Sequence, residues 1–464
     1  MSQAQPSIAK AFVPFLPVAL ALICIQIDFF SLGLALPVIP DDFDTTTTDL
    51  QWALSGYMLA LGSLMIPASR LADLLGRKLI LLIGVALFGI ASLAYGLASN
   101  SEMLIGFRVL QGVGGAMILP VAFSLVTNAT DVSIRPRILG TLLAIAAVGT
   151  AIGPVLGGGL ASTVGWRWVF FVNVPIALVA LMWGSRTLSE SKDAEGHRLR
   201  QLDWIGAGLV VVAVALISLG IDAISGVGFL VFSTIALLVV GGIALTVFLL
   251  HERRAPWPMV GQDLMRRRSF WALVGAGSFA NGCFGLLIIV AVIQLQQVRD
   301  LTSAQAGLAF ITAALATAVC GPISGRLAGK VPGGQVMAVS IVIGGLGLIL
   351  QAWANSLALD LVGLAVCGLA FGMGYTFTNV ATQSVLPEEL SGQASGVSLT
   401  LMVTIGGVAV VLGAMALELA GGATDMAEAT VKVLFWAGIV ATGVGLAFGW
   451  TQRHDRIDHS TVSA

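Results

Sequence analysis

Fourteen stretches of roughly 20 apolar residues, each bounded by charge, Pro or Gly, run through this chain. A helix of that length crosses about 30 Å of hydrocarbon while satisfying its own backbone N–H and C=O groups, so the pattern predicts an all-α integral membrane protein. The spans are read near residues 12–38, 52–72, 79–98, 103–126, 138–161, 168–186, 203–222, 228–250, 270–294, 304–325, 334–354, 358–380, 394–418 and 431–451, the 203–250 pair being open to reading as a hairpin that lies differently. Composition agrees: 57% of residues are hydrophobic and 10% charged, against about 25% charged in an ordinary soluble domain. Phe12 to Pro37 is expected to be a retained first helix, because only Lys10 precedes it and no convincing small-residue cleavage site follows.

Orientation is read from where the basic residues fall rather than from the net charge of −1. With the N-terminus taken as cytoplasmic, 19 of the 23 Lys and Arg fall on that side, among them Arg70, Arg77, Lys78, Arg135, Arg137, Arg253, Arg254 and Arg266 to Arg268. Arg167, Arg299 and Lys432 fall outside and Arg108 lies within a span. The first outside loop carries Asp41, Asp42, Asp44 and Asp49 with no basic residue. An even number of spans then predicts that both termini are cytoplasmic. Nucleic acid is not a partner this charge pattern suggests. Cys24, Cys283, Cys320 and Cys367 lie in apolar runs without CxxC spacing or a histidine cluster, so they read as small core hydrophobes, with no metal and no cofactor expected.

The longest polar stretches, Ser189 to Gln201 and His251 to Ser269, divide the helices as six, two and six. Arg70-Leu71-Ala72-Asp73 after the second helix is echoed by Arg326-Leu327-Ala328-Gly329 after the tenth, and Leu139-Gly140 by Ser395-Gly396 at the start of the fifth and thirteenth. The shared register suggests parallel halves, with a substrate site between them near mid-membrane. The expected units are 1–188, 189–269 with two inserted helices, 270–452, and a cytoplasmic tail from 453 to 464.

Four places carry candidate chemistry. Asp28 lies inside the first helix, where hydrocarbon disfavours the charged form of a carboxylate and its charge can follow access to water or an arriving cation; a lone packing hydrogen bond is the bland alternative. Arg108 lies inside the fourth, followed by Gln111, Gly112 and Gly114; an arginine there must pair or snorkel. With about 15 Å of depth for Asp28 and about 7 Å for Arg108, an extended arginine can bridge much of the difference. Arg70 to Lys78 is either an ordinary basic anchor or a switch in which Asp73 caps a helix N-terminus and pairs with Arg77 beside Gly76 and Lys78. Gly149, Gly153, Pro154, Gly157 and Gly158 predict a kinked, closely packed fifth helix. Asp222, Asp360 and Glu418 sit near outer helix ends and are expected to face water, Glu418 ranking first because its helix repeats the fifth. Phe29, Phe30 and Tyr57 lie where a central cavity would be lined, although interface or core is the commoner role for such residues.

Together these residues resemble the major facilitator superfamily, and within it the fourteen-helix drug:proton antiporter branch, over essentially the whole chain. Ser69 to Lys78 is similar to the loop signature G-x-L-A-D-R-x-G-R-K, with Ser69 at the first Gly and Leu74 at the Arg. Leu104 to Ala116 is similar to the fourth-helix signature with Arg and Q-G, and Gly149 to Gly158 to the antiporter signature G-x-x-x-G-P-x-x-G-G. Trp166-Arg167-Trp168 through Asn173-Val174-Pro175 also fits the branch. In the pattern L-D-x-T-x-V-N-V-A-L-P, Asp28, Ala35, Leu36 and Pro37 match while Phe30 replaces Thr and Gly33 replaces Asn.

The resemblance implies alternating access by rocking of two six-helix bundles. Protons, the lipid bilayer and a small amphiphilic, cationic substrate are the implied partners, with a monomer in a bacterial cytoplasmic membrane. Asp28 and Arg108 would then couple, with Gln111, Tyr57, Phe29, Phe30 and Glu418 lining the site and Asp73, Gly76, Arg77 and Lys78 gating it. A metabolite exporter or importer on the same fold is the runner-up. A membrane-embedded receptor or enzyme is the alternative of another class, disfavoured by the lack of G-x-S-x-G and H-E-x-x-H, and Gly325 to Lys330 is one residue short of a phosphate loop.

Overall fold

In the computed structural model the described residues are 8–35, 39, 42–43, 47–192, 201–224, 231–421 and 425–461. Leu36, Pro37, Asp41, Asp44, Arg198 and Arg200 lie outside them, and so do the side chains of Ala35, Asp49, Arg453 and Arg456. Every regular element among the described residues is helical. Among the described residues fourteen helices are long and apolar enough to cross a membrane: α1 (Ile8–Leu32), α2 (Trp52–Leu75), α3 (Arg77–Gly96), α4 (Ser101–Asn128), α5 (Arg135–Ala161), α6 (Arg167–Thr187), α7 (Trp204–Ile224), α8 (Phe232–Glu252), α9 (Arg268–Val298), α10 (Ala304–Leu327), α11 (Gly333–Ala352), α12 (Leu357–Ser384), α13 (Glu388–Leu419) and α14 (Met426–Thr451).

All fourteen predicted spans are present, with ends that move for local reasons. α1 begins at Ile8 and its helix runs to Ala35. Helix continues from α14 to Thr461, through the segment expected to be a tail, because Gln452 to Ser460 contains neither Pro nor Gly to stop it. Gly76 ends α2 at φ +127°, a conformation open to glycine and strained for other residues, which separates α2 from α3 in one step. Asn100 caps α4 by accepting the Met103 N–H at 2.8 Å, and Thr302 with Gln305 forms a capping box at α10.

α1 to α6 pack mainly on one another, and α9 to α14 do likewise. α5 meets α10 and α2 meets α13 across the boundary between these groups. The sequence echoes fall on these crossings. A Cβ at Gly140 of α5 would overlap the Gly321 carbonyl of α10, and one at Gly396 of α13 would overlap the Ser69 hydroxyl of α2. The backbones can approach this closely only because glycine has no side chain. α7 packs on α2 and α13, with α8 on its outer side.

The two ends of the molecule differ. At the end carrying Lys10, Arg77, Arg135 and Arg326, here the basic end, the groups of helices are bonded together. Arg135 pairs with Glu388, Asn128 donates to Ser391 Oγ at 2.7 Å, and Thr127 donates to Gln383 Oε1 at 3.0 Å. From Ser391 to Thr400 every residue of α13 is buried. Further along, toward the opposite end, only Met402, Gly406, Gly413 and Leu417 are. α13 is therefore pressed against its neighbours at the basic end and more exposed toward the opposite end, where α5 and α10 still meet at Pro154 and Gly307.

Candidate functional site

Asp28 and Arg108 lie side by side in the fold. The described part of the α1 helix continues seven residues past Asp28 to Ala35, and Arg108 lies seven residues after Ser101, where α4 begins. Both side chains are fully buried and Arg108 Nη1 donates to Asp28 Oδ2. Asp28 Oδ1 accepts from Gln111 Nε2 at 2.8 Å and from Asn173 Nδ2 at 3.2 Å. Gln111 in turn accepts from Arg108 Nη1 at 2.5 Å and donates to Ser92 Oγ at 2.8 Å.

Aromatic rings enclose the guanidinium. Its carbon lies 4.6 Å from the Tyr57 ring centroid, 5.6 Å from Tyr95 and 5.8 Å from Phe170. A cation that cannot lose its proton is thus held by one carboxylate, one amide oxygen and ring faces, the contacts that make a buried arginine tolerable. α1, α2, α3, α4 and α6 all contribute, α6 through Phe170 and Asn173.

α5 runs beside this cluster. Added Cβ atoms at Gly149 and Gly153 would lie 2.8 Å from the Cβ atoms of Gln26 and Phe30, and one at Gly157 would lie 2.7 Å from Ser31 Cα. These glycines, four apart, form a stripe into which the α1 backbone nests, and Ser31 Oγ donates to the Gly153 carbonyl at 2.7 Å. Pro154 turns the other way: a Cβ on Gly307 of α10 would sit 3.3 Å from its ring. Gly158 is buried in the same helix.

At the basic end Arg77 Nη2 donates to Asp73 Oδ1 at 2.6 Å, both residues being buried. A Cβ at Gly392, in the first turn of α13, would overlap the Asp73 carboxylate. Asp73 therefore sits against a helix N-terminus across the boundary, where the dipole favours an anion. The N-terminus of α3 is capped by Glu190 instead, which accepts the N–H groups of Lys78 at 3.0 Å and Leu79 at 3.1 Å. Lys78 Nζ donates to the Ser185 carbonyl at 2.8 Å.

Other candidates lie apart from the cluster. Glu418 is exposed near the opposite end of α13, and Phe29 and Phe30 are half-buried on α1 with ring centroids 5.0 Å apart. Asp222, expected to face water, is half-buried and bonded to Ser55. Asp360 corrects that expectation outright. It is fully buried, takes Arg299 Nε at 2.8 Å, and accepts from Gln294 at 3.1 Å and Gln351 at 3.2 Å. A π-helical turn, Gln294–Val298, brings α9 to it. The first and fourth helices of each group of six are thus joined by an ion pair, fully buried in the first group and partly exposed at Arg299 in the second, with acid and base exchanged: Asp28 on α1 with Arg108 on α4, and Arg299 beyond α9 with Asp360 on α12.

Sequence reasoning passed over Ser92, Tyr95 and the bonding role of Asn173. One signal was present: with Tyr57, Tyr95 and Tyr375 the chain has three tyrosines, and two of them face Arg108. Among the described residues no group of three or more His, Cys, Asp or Glu is arranged to hold a metal.

The family model for the Major Facilitator Superfamily matches residues 18–414. The multidrug resistance protein Stp of Mycobacterium tuberculosis is 31% identical over 382 residues, covering 82% of this chain and 70% of that protein. The tetracenomycin C resistance and export protein of Streptomyces glaucescens is 30% identical over 401 residues, covering 83% and 72%. Among solved structures, the human organic anion transporter MFSD10 (TETRAN) matches the fold with a TM-score of 0.68 at 16% identity, over 95% of this chain and 100% of that one.

Proposed function

Because the chain belongs to the Major Facilitator Superfamily, we propose that it is a proton-coupled antiporter that exports amphiphilic, cationic drugs or toxic compounds across a bacterial cytoplasmic membrane. Its activity is transport rather than catalysis. Drug export is supported by relatives named for multidrug resistance and for export of tetracenomycin C. The steep basic bias supports a cytoplasmic basic end, so that the bonded end is the inner one and α13 is more exposed toward the outer one. Residues 1–188 and 270–452 act as the two moving bundles, with 189–269 as an insert.

One observation carries the coupling reading: a buried carboxylate whose charge is balanced by one arginine and whose remaining oxygen is held by amides from α4 and α6. A proton entering from the outer side and settling on Asp28 cancels the negative charge that Arg108 balances. Charge-assisted hydrogen bonds are roughly twice as strong as neutral ones, so Gln111 and Asn173 then hold α1 less firmly. The glycine stripe passes a shift of α1 directly to α5, which carries Arg135 at its basic end and crosses α10 at Gly140. Opening the basic end requires parting Arg135 from Glu388, Asn128 from Ser391 and Asp73 from the first turn of α13. Alternation between closure of the two ends is the movement that exchanges an outward-bound substrate for an inward-bound proton.

The test is efflux of a lipophilic cationic dye from vesicles with an imposed proton gradient, compared with Asp28→Asn. The variant is expected to lose the gradient-driven component. Unchanged efflux would remove Asp28 from coupling, and failure to move any cationic compound would overturn the substrate class.

A further inference from the structure

Between α8 and α9, Arg253 to Trp271 contains five arginines, Arg253, Arg254, Arg266, Arg267 and Arg268, with Asp263 as its single acidic residue. This linker is held in place. Glu252, fully buried at the end of α8, accepts the N–H groups of Met259 at 3.1 Å and Val260 at 3.0 Å. Met259, Val260 and Leu264 are buried with Leu202, Val210, Phe248 and Val397 in a core shared by α7, α8 and α13. Gly261 N–H donates to Gln393 Oε1 of α13 at 2.7 Å.

With one side fixed inward, the other presents its charge. Arg253, Arg254, Arg266 and Arg268 are exposed and Arg267 is half-buried. Among the described residues none of the five forms an ion pair. Elsewhere at this end Arg77, Lys78 and Arg135 are bonded to the protein itself. Trp257 and Trp271, 41% and 37% exposed, flank the arginines just beyond α8 and just inside α9, the level at which tryptophan meets lipid headgroups. We propose that this linker surface binds anionic phospholipid headgroups, phosphates on the arginines and glycerol region against the two indoles, and so braces the segment that Gly261 ties to α13. The inference rests on the spanning helices and holds whatever the transported compound is.

Charge complementarity sets the scale. A basic residue near an anionic surface gains about 5-fold in association, and the gain is screened by salt. The test uses the full chain in phosphatidylcholine bilayers with spin-labelled phosphatidylglycerol or phosphatidylcholine as reporter. Phosphatidylglycerol is expected to associate at least about 5-fold more strongly. The preference should collapse in 1 M NaCl and in Arg253→Gln/Arg254→Gln/Arg266→Gln/Arg268→Gln, and survive in the corresponding Lys variant. Amide exchange across 253–267 should also slow when phosphatidylglycerol is added. Because the salt and exchange arms use the unaltered protein, the proposal does not depend on the neutralised variant folding. Equal association of the two lipids, a preference indifferent to salt, or displacement of the lipid by 10 mM inorganic phosphate, which would mark a general anion site, would each overturn it.

Discussion

Removing one partner of the Asp28–Arg108 pair strands the other in a fully buried site, whereas removing both strands neither. Breaking a buried ion pair from one side costs about 3–5 kcal/mol, while exchange of the whole pair for neutral groups is nearly free. The two single losses should differ. In Asp28→Asn the guanidinium cannot neutralise itself and keeps only Gln111 and the rings of Tyr57, Tyr95 and Phe170. In Arg108→Gln the stranded carboxylate can take up a proton, so this variant should recover stability as the pH is lowered. Asp28→Asn/Arg108→Gln should regain most of what either single variant loses, a coupling of about 3 kcal/mol.

Cys24, Cys320 and Cys367 are free and buried, so a thiol-reactive fluorogenic dye reports melting directly. Melts of the four proteins in one detergent, at pH 7.5 and again at pH 5.5, complete the cycle. A double variant whose loss equals the sum of the two single losses would refute the pairing argument, and a pH-independent Arg108→Gln would refute its account of the stranded charge.

Gly321→Val places a side chain where the Gly140 carbonyl of α5 already lies. It should lower stability by about 1–3 kcal/mol and reduce efflux, read by melts and dye transport together; an active, fully stable variant would mean that the crossing is looser than its geometry. Asp360→Asn strands Arg299 and should cost about 3 kcal/mol or less, since Arg299 is partly exposed, with the pH dependence of transport unchanged. A shifted pH profile would make Asp360 a coupling residue. Outside the spans, hydrogen bonds from Trp166 and Arg167 hold the Asp42 carboxyl below the usual aspartate value. A lowered folded value means that its stabilisation is present above about pH 4 and lost as the pH falls through that lowered value, so wild type and Asp42→Asn should converge in acid. Melts from pH 7 to pH 3 read this.

Reading spans from the sequence works because a lipid environment leaves the backbone few choices. About 20 apolar residues between polar linkers can only be a helix, and all fourteen appear where they were expected. Basic residues are placed by linear position too, so the asymmetry of the two ends was legible before any contact was known. The two echoes were also legible as repeats, though not as the places where α5 meets α10 and α2 meets α13.

Which side chains meet was decided by tertiary packing. Asp28 and Arg108 were candidates as isolated intramembrane charges, but Asn173 reaches Asp28 from α6, and Ser92 and Tyr95 enter from α3, with no local pattern to mark any of them. Asp360 looked like a water-facing residue because four positions from a helix start gives depth and not direction. A π-turn in α9 and the neighbouring α11 cover it and turn Arg299, Gln294 and Gln351 onto it. The chain alone sets which segments are spanning helices, since that follows from transfer of local segments into lipid. Burial and partnership depend on helices far apart in sequence approaching through glycines, and that required the folded molecule.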